Sequence, residues 1–170
     1  MTASAHTIRI ANATDAAAVS RLLENCYSAL LPAFYDDHVM AQILPLITKA
    51  NPLLLNSGMF YVAMAGRGNV VGCGGWSVRR PKIGVKPNSQ GSIRHFATHP
   101  DWLRRGIGRD ILHRCIKEAR AHKIERLNCY SALGAESFYG ASGFLAVKQI
   151  DVPISDEFSF PATLMCNELS

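Results

Sequence analysis

Phe96-Ala97-Thr98-His99-Pro100-Asp101-Trp102-Leu103-Arg104-Arg105-Gly106-Ile107-Gly108-Arg109 decides how this chain is read. The segment begins as the tail of an apolar strand, Gly91 to Thr98, and stops extending at His99-Pro100. Beyond it Ile107, Ile111, Leu112, Cys115, Ile116 and Ala119 recur at helical spacing, which predicts a helix from Arg105 to His122. A strand feeding a helix through a glycine-rich turn is a site for anions. The first-turn N–H groups have no partner inside the helix, and the helix dipole makes that end positive. Gly106 and Gly108 leave room for a phosphate to approach. Arg104, Arg105 and Arg109 add charge and can grip phosphate oxygens with paired N–H groups. The segment reads as a pyrophosphate cradle.

Charge along the chain agrees. The net charge is +5, yet Arg79 to Arg126 holds 13 Lys or Arg against 4 Asp or Glu. That concentration predicts an anionic partner. Nucleic acid fits poorly, because the basic block has no zinc-finger spacing, no aromatic RNA-binding stripe and no helix-turn-helix pattern. A dinucleotide fingerprint needs a third glycine where Ile111 stands, and no P-loop pattern occurs. A small polyphosphate ligand remains.

Outward from the cradle, Ile8-Arg9-Ile10 reads as an edge strand. Thr14 is expected to cap a helix from Asp15 to about Leu30, with Val19, Leu22, Leu23, Cys26, Tyr27 and Leu30 as its apolar stripe. Asp36 or Asp37 starts a second helix, expected to break or kink near Pro45, and a loop follows over Asn51 to Gly58. Phe60–Ala65 and Val70–Val78 form a hairpin across Gly66-Arg67-Gly68-Asn69. Arg79 to Ser89 reads as an exposed loop. Ile124–Tyr130 is a strand, Ala135–Ser142 a short helix, and strands near 147–152 and 160–169 close the chain. The pattern predicts one domain over residues 1–170, with a mixed α/β sheet. Five scattered cysteines without a C-x-x-C pair read as buried apolar residues in a reducing compartment. With no signal-peptide pattern after Met1 and no apolar run of the ~20 residues a span needs, the expected location is the cytoplasm.

Two motifs carry a resemblance. Arg104-Arg105-Gly106-Ile107-Gly108 after Thr98-His99-Pro100 looks like motif A of the GNAT superfamily of N-acetyltransferases, although Leu103 stands where the family has Gln or Arg. Ala135-Glu136-Ser137-Phe138-Tyr139, then Gly143-Phe144, is similar to the family's A-x-x-F-Y-x-x-x-G-F segment. The element order fits over nearly the whole chain.

The resemblance implies an acyl-CoA N-acyltransferase fold, with a central, mostly antiparallel sheet flanked by helices. It implies acetyl-CoA as cosubstrate and direct transfer of its acetyl group to a primary amine of a small molecule or protein, with a homodimer as a common assembly. By position, the backbone of Phe96, Ala97 and Thr98 would bond pantetheine and the acetyl carbonyl. Arg104 to Arg109, with Gly106, Ile107 and Gly108, would hold the pyrophosphate. Tyr139 would protonate the departing thiolate. Ser92 occupies the position of a strand glutamate that serves some members as base. His95 has a suitable intrinsic pKa, but strict alternation puts residues 93, 95 and 97 on one face and 92, 94, 96 and 98 on the other. A water chain is an equal candidate. His95 and His99 lie roughly 13 Å apart along a strand, so no metal is expected. The acceptor would lie beside Tyr35, Asp36, Asp37 and His38, whose acids could hold a cationic amine; the same residues also read as a solvated turn with an acid capping the second helix, and Trp76 is expected in the core. Cys73 and Cys129 lack an adjacent base, so an acyl-cysteine is disfavoured. A non-catalytic acyl-CoA sensor is the alternative.

Overall fold

The computed structural model describes residues 5–79, 83, 84, 86 and 88–169. Most of the strand and helix readings hold within a residue or two. Seven strands, β1 (His6–Ile10), β2 (Phe60–Ala65), β3 (Asn69–Val78), β4 (Gln90–Thr98), β5 (Arg126–Ala132), β6 (Leu145–Pro153) and β7 (Ser159–Glu168), form one sheet. Its order is β1-β2-β3-β4-β5-β7-β6. Every pairing is antiparallel except β4 with β5. A parallel pair needs a long crossover, and α4 (Ile107–Ala121) supplies it.

Two apolar layers close the sheet. On one face α4 buries Ile107, Ile111, Leu112, Cys115 and Ala119 against Val71, Trp76, Ile93 and Leu127. On the other, α1 (Ala16–Leu30) buries Val19, Leu22, Leu23 and Cys26 against Phe60, Val62, Cys73 and Ala97. Trp76 is fully buried in the α4 layer, as expected. α2 (Asp37–Ile47) adds a smaller cluster of Met40 and Ile43 with Leu31 and Tyr35.

Three local readings change, and the start of α2 holds. The cap before α1 is Asn12, not Thr14: the Asn12 side chain accepts from Thr14 N–H at 2.9 Å, while buried Asp15 accepts from Asn12 N–H at 2.8 Å. Asp15 also takes both Arg9 N–H forks, at 2.7 and 2.9 Å, which ties β1 to this turn and holds its carboxyl below the usual range. Asp36 caps α2 by accepting from Val39 N–H. Pro45 sits inside α2 without ending it there, since only two more residues follow. Finally, a short α3 (Pro52–Leu55), capped by Asn51, occupies the expected loop and buries Leu54 and Leu55. The expected loop from Arg79 to Ser89 lies partly outside the described residues. No helix among the described residues is long and apolar enough to cross a membrane.

Candidate active site

The cradle is built by two left-handed residues. β4 ends where His99 N–H donates to the Val71 carbonyl at 2.8 Å. A single turn, Pro100–Trp102, follows, with His99 Nδ1 accepting from Asp101 N–H at 3.1 Å. Arg104 (φ +61°) and Gly106 (φ +80°) then reverse the chain into α4. The first bond of α4 runs from Asp110 N–H to the Gly106 carbonyl at 2.9 Å, so the N–H groups of Ile107, Gly108 and Arg109 precede the helical ladder. The Arg105 guanidinium stacks over the Trp102 ring at 4.5 Å and donates to the Asp101 carbonyl at 3.3 Å. Arg109 reaches Asp110 at 3.5 Å.

The two glycines do different work. A Cβ on Gly106 would meet only the flexible end of Arg109, so its requirement is the left-handed φ. A Cβ on Gly108 would sit 3.1 Å from the Phe138 ring. Gly108 therefore also lets the first turn of α4 pack against α5 (Glu136–Gly140).

Next to the cradle the sheet forks. β4 and β5 pair only at Gln90–Arg126, Gly91–Leu127 and Ser92–Asn128, although both strands run on. Asn128 holds the last rung: its side-chain amide donates to the Gly91 carbonyl at 3.3 Å. Ile93 to Thr98 therefore present an edge with no strand partner on that side. On the other side β4 carries a bulge. Cys73 pairs with Ala97 and Gly75 with Arg94, so Gly74 alone faces both His95 and Phe96. His95 takes up the extra residue at φ +49°.

This bulge corrects the alternation argument. Ile93 and Phe96 pack in the α4 layer, while Ala97 packs in the α1 layer, so residues 93 and 97 do not share a face. Phe96 lies over Gly74, where a Cβ would come within 2.7 Å of its ring.

A cleft of about 1260 Å³ opens from the fork. Its inner end holds Cys26, Tyr27, His95, Phe96, Cys129 and Tyr139. Tyr139 is only 8 % exposed, in edge-on ring contact with Phe96, Phe138 and Phe144. Burial raises the phenol well above its usual range, so it stays protonated. Burial likewise pushes the Cys129 thiol up to about 12 and raises those of Cys73 and Cys26. His95 is held below the usual imidazole value, first by burial and second by the Arg94 charge.

Tyr27 is the residue that sequence reasoning missed, having been counted only in an apolar stripe. Its hydroxyl donates to the Phe96 carbonyl at 3.1 Å. The one available signal was a phenol within a stripe otherwise made of Val, Leu and Cys.

At the outer end of the cleft, the capping reading of the loop before α2 holds. Asp36, Asp37 and His38 do not line the cleft: Asp36 caps α2, Asp37 lies exposed in the first turn, and His38 contacts Gln42 at 3.1 Å. Tyr35 is buried, donating to the Pro161 carbonyl at 2.6 Å and accepting from Leu133 N–H at 2.9 Å. It fastens the α1–α2 loop to the sheet.

The sequence profile of the acetyltransferase (GNAT) family matches residues 17–144. No curated relative matches significantly. A GCN5-related N-acetyltransferase structure from Rhodopseudomonas palustris superposes with a TM-score of 0.77 over 99 % of both chains at 20 % identity. The PaiA N-acetyltransferase of Thermoplasma acidophilum, in complex with coenzyme A, gives 0.72 at 14 % identity, covering 96 % of this chain and 99 % of that one. The yncA protein of Salmonella typhimurium, with its cofactor acetyl-CoA, gives 0.66 at 24 % identity, covering 98 % and 95 %. The fold expected from the two motifs is therefore the one observed.

Proposed function

Because the chain belongs to the GNAT acetyltransferase family, we propose that it is an acetyl-CoA-dependent N-acetyltransferase acting by direct transfer to an amine. The observation that carries this reading is the alignment of three features: the open β4 edge after Ser92, the α4 N-terminus beyond it, and the buried phenol of Tyr139 facing the same fork. In this reading the pyrophosphate lies on the N–H groups of Ile107, Gly108 and Arg109, with Arg104, Arg105 and Arg109 supplying charge. Pantetheine follows the backbone of Phe96, Ala97 and Thr98 into the fork. The Phe96 carbonyl already accepts from Tyr27 and keeps a second lone pair for a ligand N–H.

The thioester carbonyl gains negative charge as the amine attacks, so an N–H fixed on the bulged strand lowers the barrier. The amine nitrogen forms the new C–N bond, the C–S bond breaks, and the Tyr139 proton goes to the departing sulfur. His95 serves as the base in this reading, supported by its place in the cleft lining and its lowered pKa, taking the amine's proton directly or through water. Buried cysteines with raised thiol pKa values disfavour an acyl-enzyme. With no span-length apolar helix described, a cytoplasmic enzyme is the matching assignment; the homodimer stays part of the proposal.

Calorimetric titration with acetyl-CoA tests the reading, beside Gly106→Glu and Gly106→Asn. Asn tolerates the left-handed backbone and adds no charge, so it controls for strain. Binding by the wild type and Gly106→Asn, with loss in a folded Gly106→Glu, is expected. No binding by the wild type would remove acetyl-CoA, and binding without turnover across an amine panel would favour the sensor alternative.

A further inference from the structure

The outer cleft has a chemical character of its own, and the inference from it rests on the acetyltransferase reading. Among the described residues lining the cleft none is acidic, whereas Arg79 and Arg94 both line it. Arg94 is half-buried on the sheet face covered by α1, one N–H donating to Ser77 Oγ at 3.2 Å. Among the described residues it forms no ion pair with a carboxylate. A guanidinium carries five N–H donors in a fork matched to a carboxylate, so most of its donors remain to be used. A partly desolvated charge without a counter-ion is costly, and an anionic ligand removes that cost. Arg94 also repels the protonated form of its neighbour His95, as expected of a charge left uncompensated.

The remaining walls are apolar. Leu30, Phe34, Leu46, Val78 and Tyr130, large apolar side chains 38–51 % exposed, all line this cleft. Such a concentration marks a binding surface rather than ordinary exposed residues. A polyamine or other polycation would meet two arginines and, among the described lining residues, no acid. A neutral alkylamine would leave Arg94 unanswered.

We propose that the acceptor is an α-amino carboxylate with an apolar or aromatic side chain, whose carboxylate binds Arg94. The chain geometry favours the α-amino acid over an anion placed farther away. Arg94 and His95 are consecutive at the bulge, and in an α-amino acid the amine and carboxylate share one carbon. A carboxylate on Arg94 therefore brings the amine to His95 and the fork, while the side chain extends toward Leu30, Phe34 and Leu46.

The test uses the full chain saturated with CoA and reads binding, so it does not depend on turnover. N-acetyl-L-phenylalanine is titrated beside N-acetylphenethylamine, which lacks only the carboxylate, and beside N-acetylated aminoethyl phosphate. The carboxylate ligand is expected to bind about ten- to a hundredfold more tightly than the neutral one, the usual range for a charge-assisted pair. Arg94→Gln is expected to bring the two within about threefold, and Arg94→Lys to fall between. CoA binding, measured first, reports that each variant is folded. Equal binding of the two wild-type ligands, a gap unchanged in Arg94→Gln, or tighter binding of the phosphate would each overturn the assignment. Acetyl-CoA binding with acetylation of neutral amines, but no binding of the N-acetyl amino acid, would overturn it while leaving the acetyltransferase reading standing.

Discussion

The hydroxyl of Tyr27, on α1, donates to the carbonyl of Phe96, on the forked strand β4, at 3.1 Å. The contact joins two layers at the point where the sheet opens. β4 has lost β5 as a partner by this residue, so its backbone direction depends on what else holds it. Tyr27 is half-buried beside Cys26 and Cys73, and burial raises its phenol well above the usual range, so it stays protonated and donating. A helix side chain thus does part of what a neighbouring strand would do.

Tyr27→Phe therefore removes one part-buried hydrogen bond while keeping the ring. A loss of about 1 kcal/mol in urea unfolding is expected, together with a several-fold rise in KM for acetyl-CoA. Unchanged stability and KM would reduce Tyr27 to packing alone.

The cradle was legible because its signal is local: glycines, arginines and a helix start lie within six residues, Arg104 to Arg109. The sheet was legible for a similar reason, since turn residues punctuate its strands. The bulge was not. Nothing in Ile93-Arg94-His95-Phe96 marks an extra residue, because the feature that goes with it lies across the sheet at Gly74, against which the Phe96 ring packs. One added residue reverses the facing of everything beyond it, and so strict alternation misplaced His95. The acids at Asp36 and Asp37 could be read two ways because helix capping and ligand binding attract the same residue types to the same loop, and at Asp36 the capping reading holds.

Gly74→Ala tests that account of the bulge. The added methyl would stand 2.7 Å from three atoms of the Phe96 ring, which is itself wedged against Phe138 and Tyr139. Overpacking of this kind costs about 1–3 kcal/mol, and turnover should fall with it as the Tyr139 ring is displaced. Gly140→Ala is the control: it meets nothing within 4 Å and should be neutral or slightly stabilising. A neutral Gly74→Ala would show that the bulge has another cause.

The pH dependence follows from His95. Burial, then repulsion from Arg94, puts its pKa below the usual value of about 6.5. The base form thus persists to lower pH, and the acid limb of kcat/KM is expected below 6.5. Removing the repulsion in Arg94→Gln should move that limb upward, and His95→Gln should lower turnover and erase it. The same shift acts on stability: as pH falls, the unfolded chain protonates first, so the contribution is present above about 6.5 and lost below it. An acid limb at the same pH in wild type and His95→Gln would assign the proton to another group.

Tyr139→Phe separates chemistry from binding. The ring makes its contacts with Phe96, Phe138 and Phe144 through carbon, so the phenylalanine variant should keep the fold and the cofactor site. What it loses is the proton available to the leaving sulfur. General acid catalysis contributes about 10²- to 10⁴-fold, and kcat should fall within that range, with the dissociation constant for acetyl-CoA changed by less than about threefold. A thioester with a better leaving group gives the decisive comparison. An acetyl aryl thioester needs less protonation as the bond breaks, so the variant's deficit should shrink with that donor. A deficit equally large with both donors would mean that Tyr139 positions the thioester rather than protonating its sulfur.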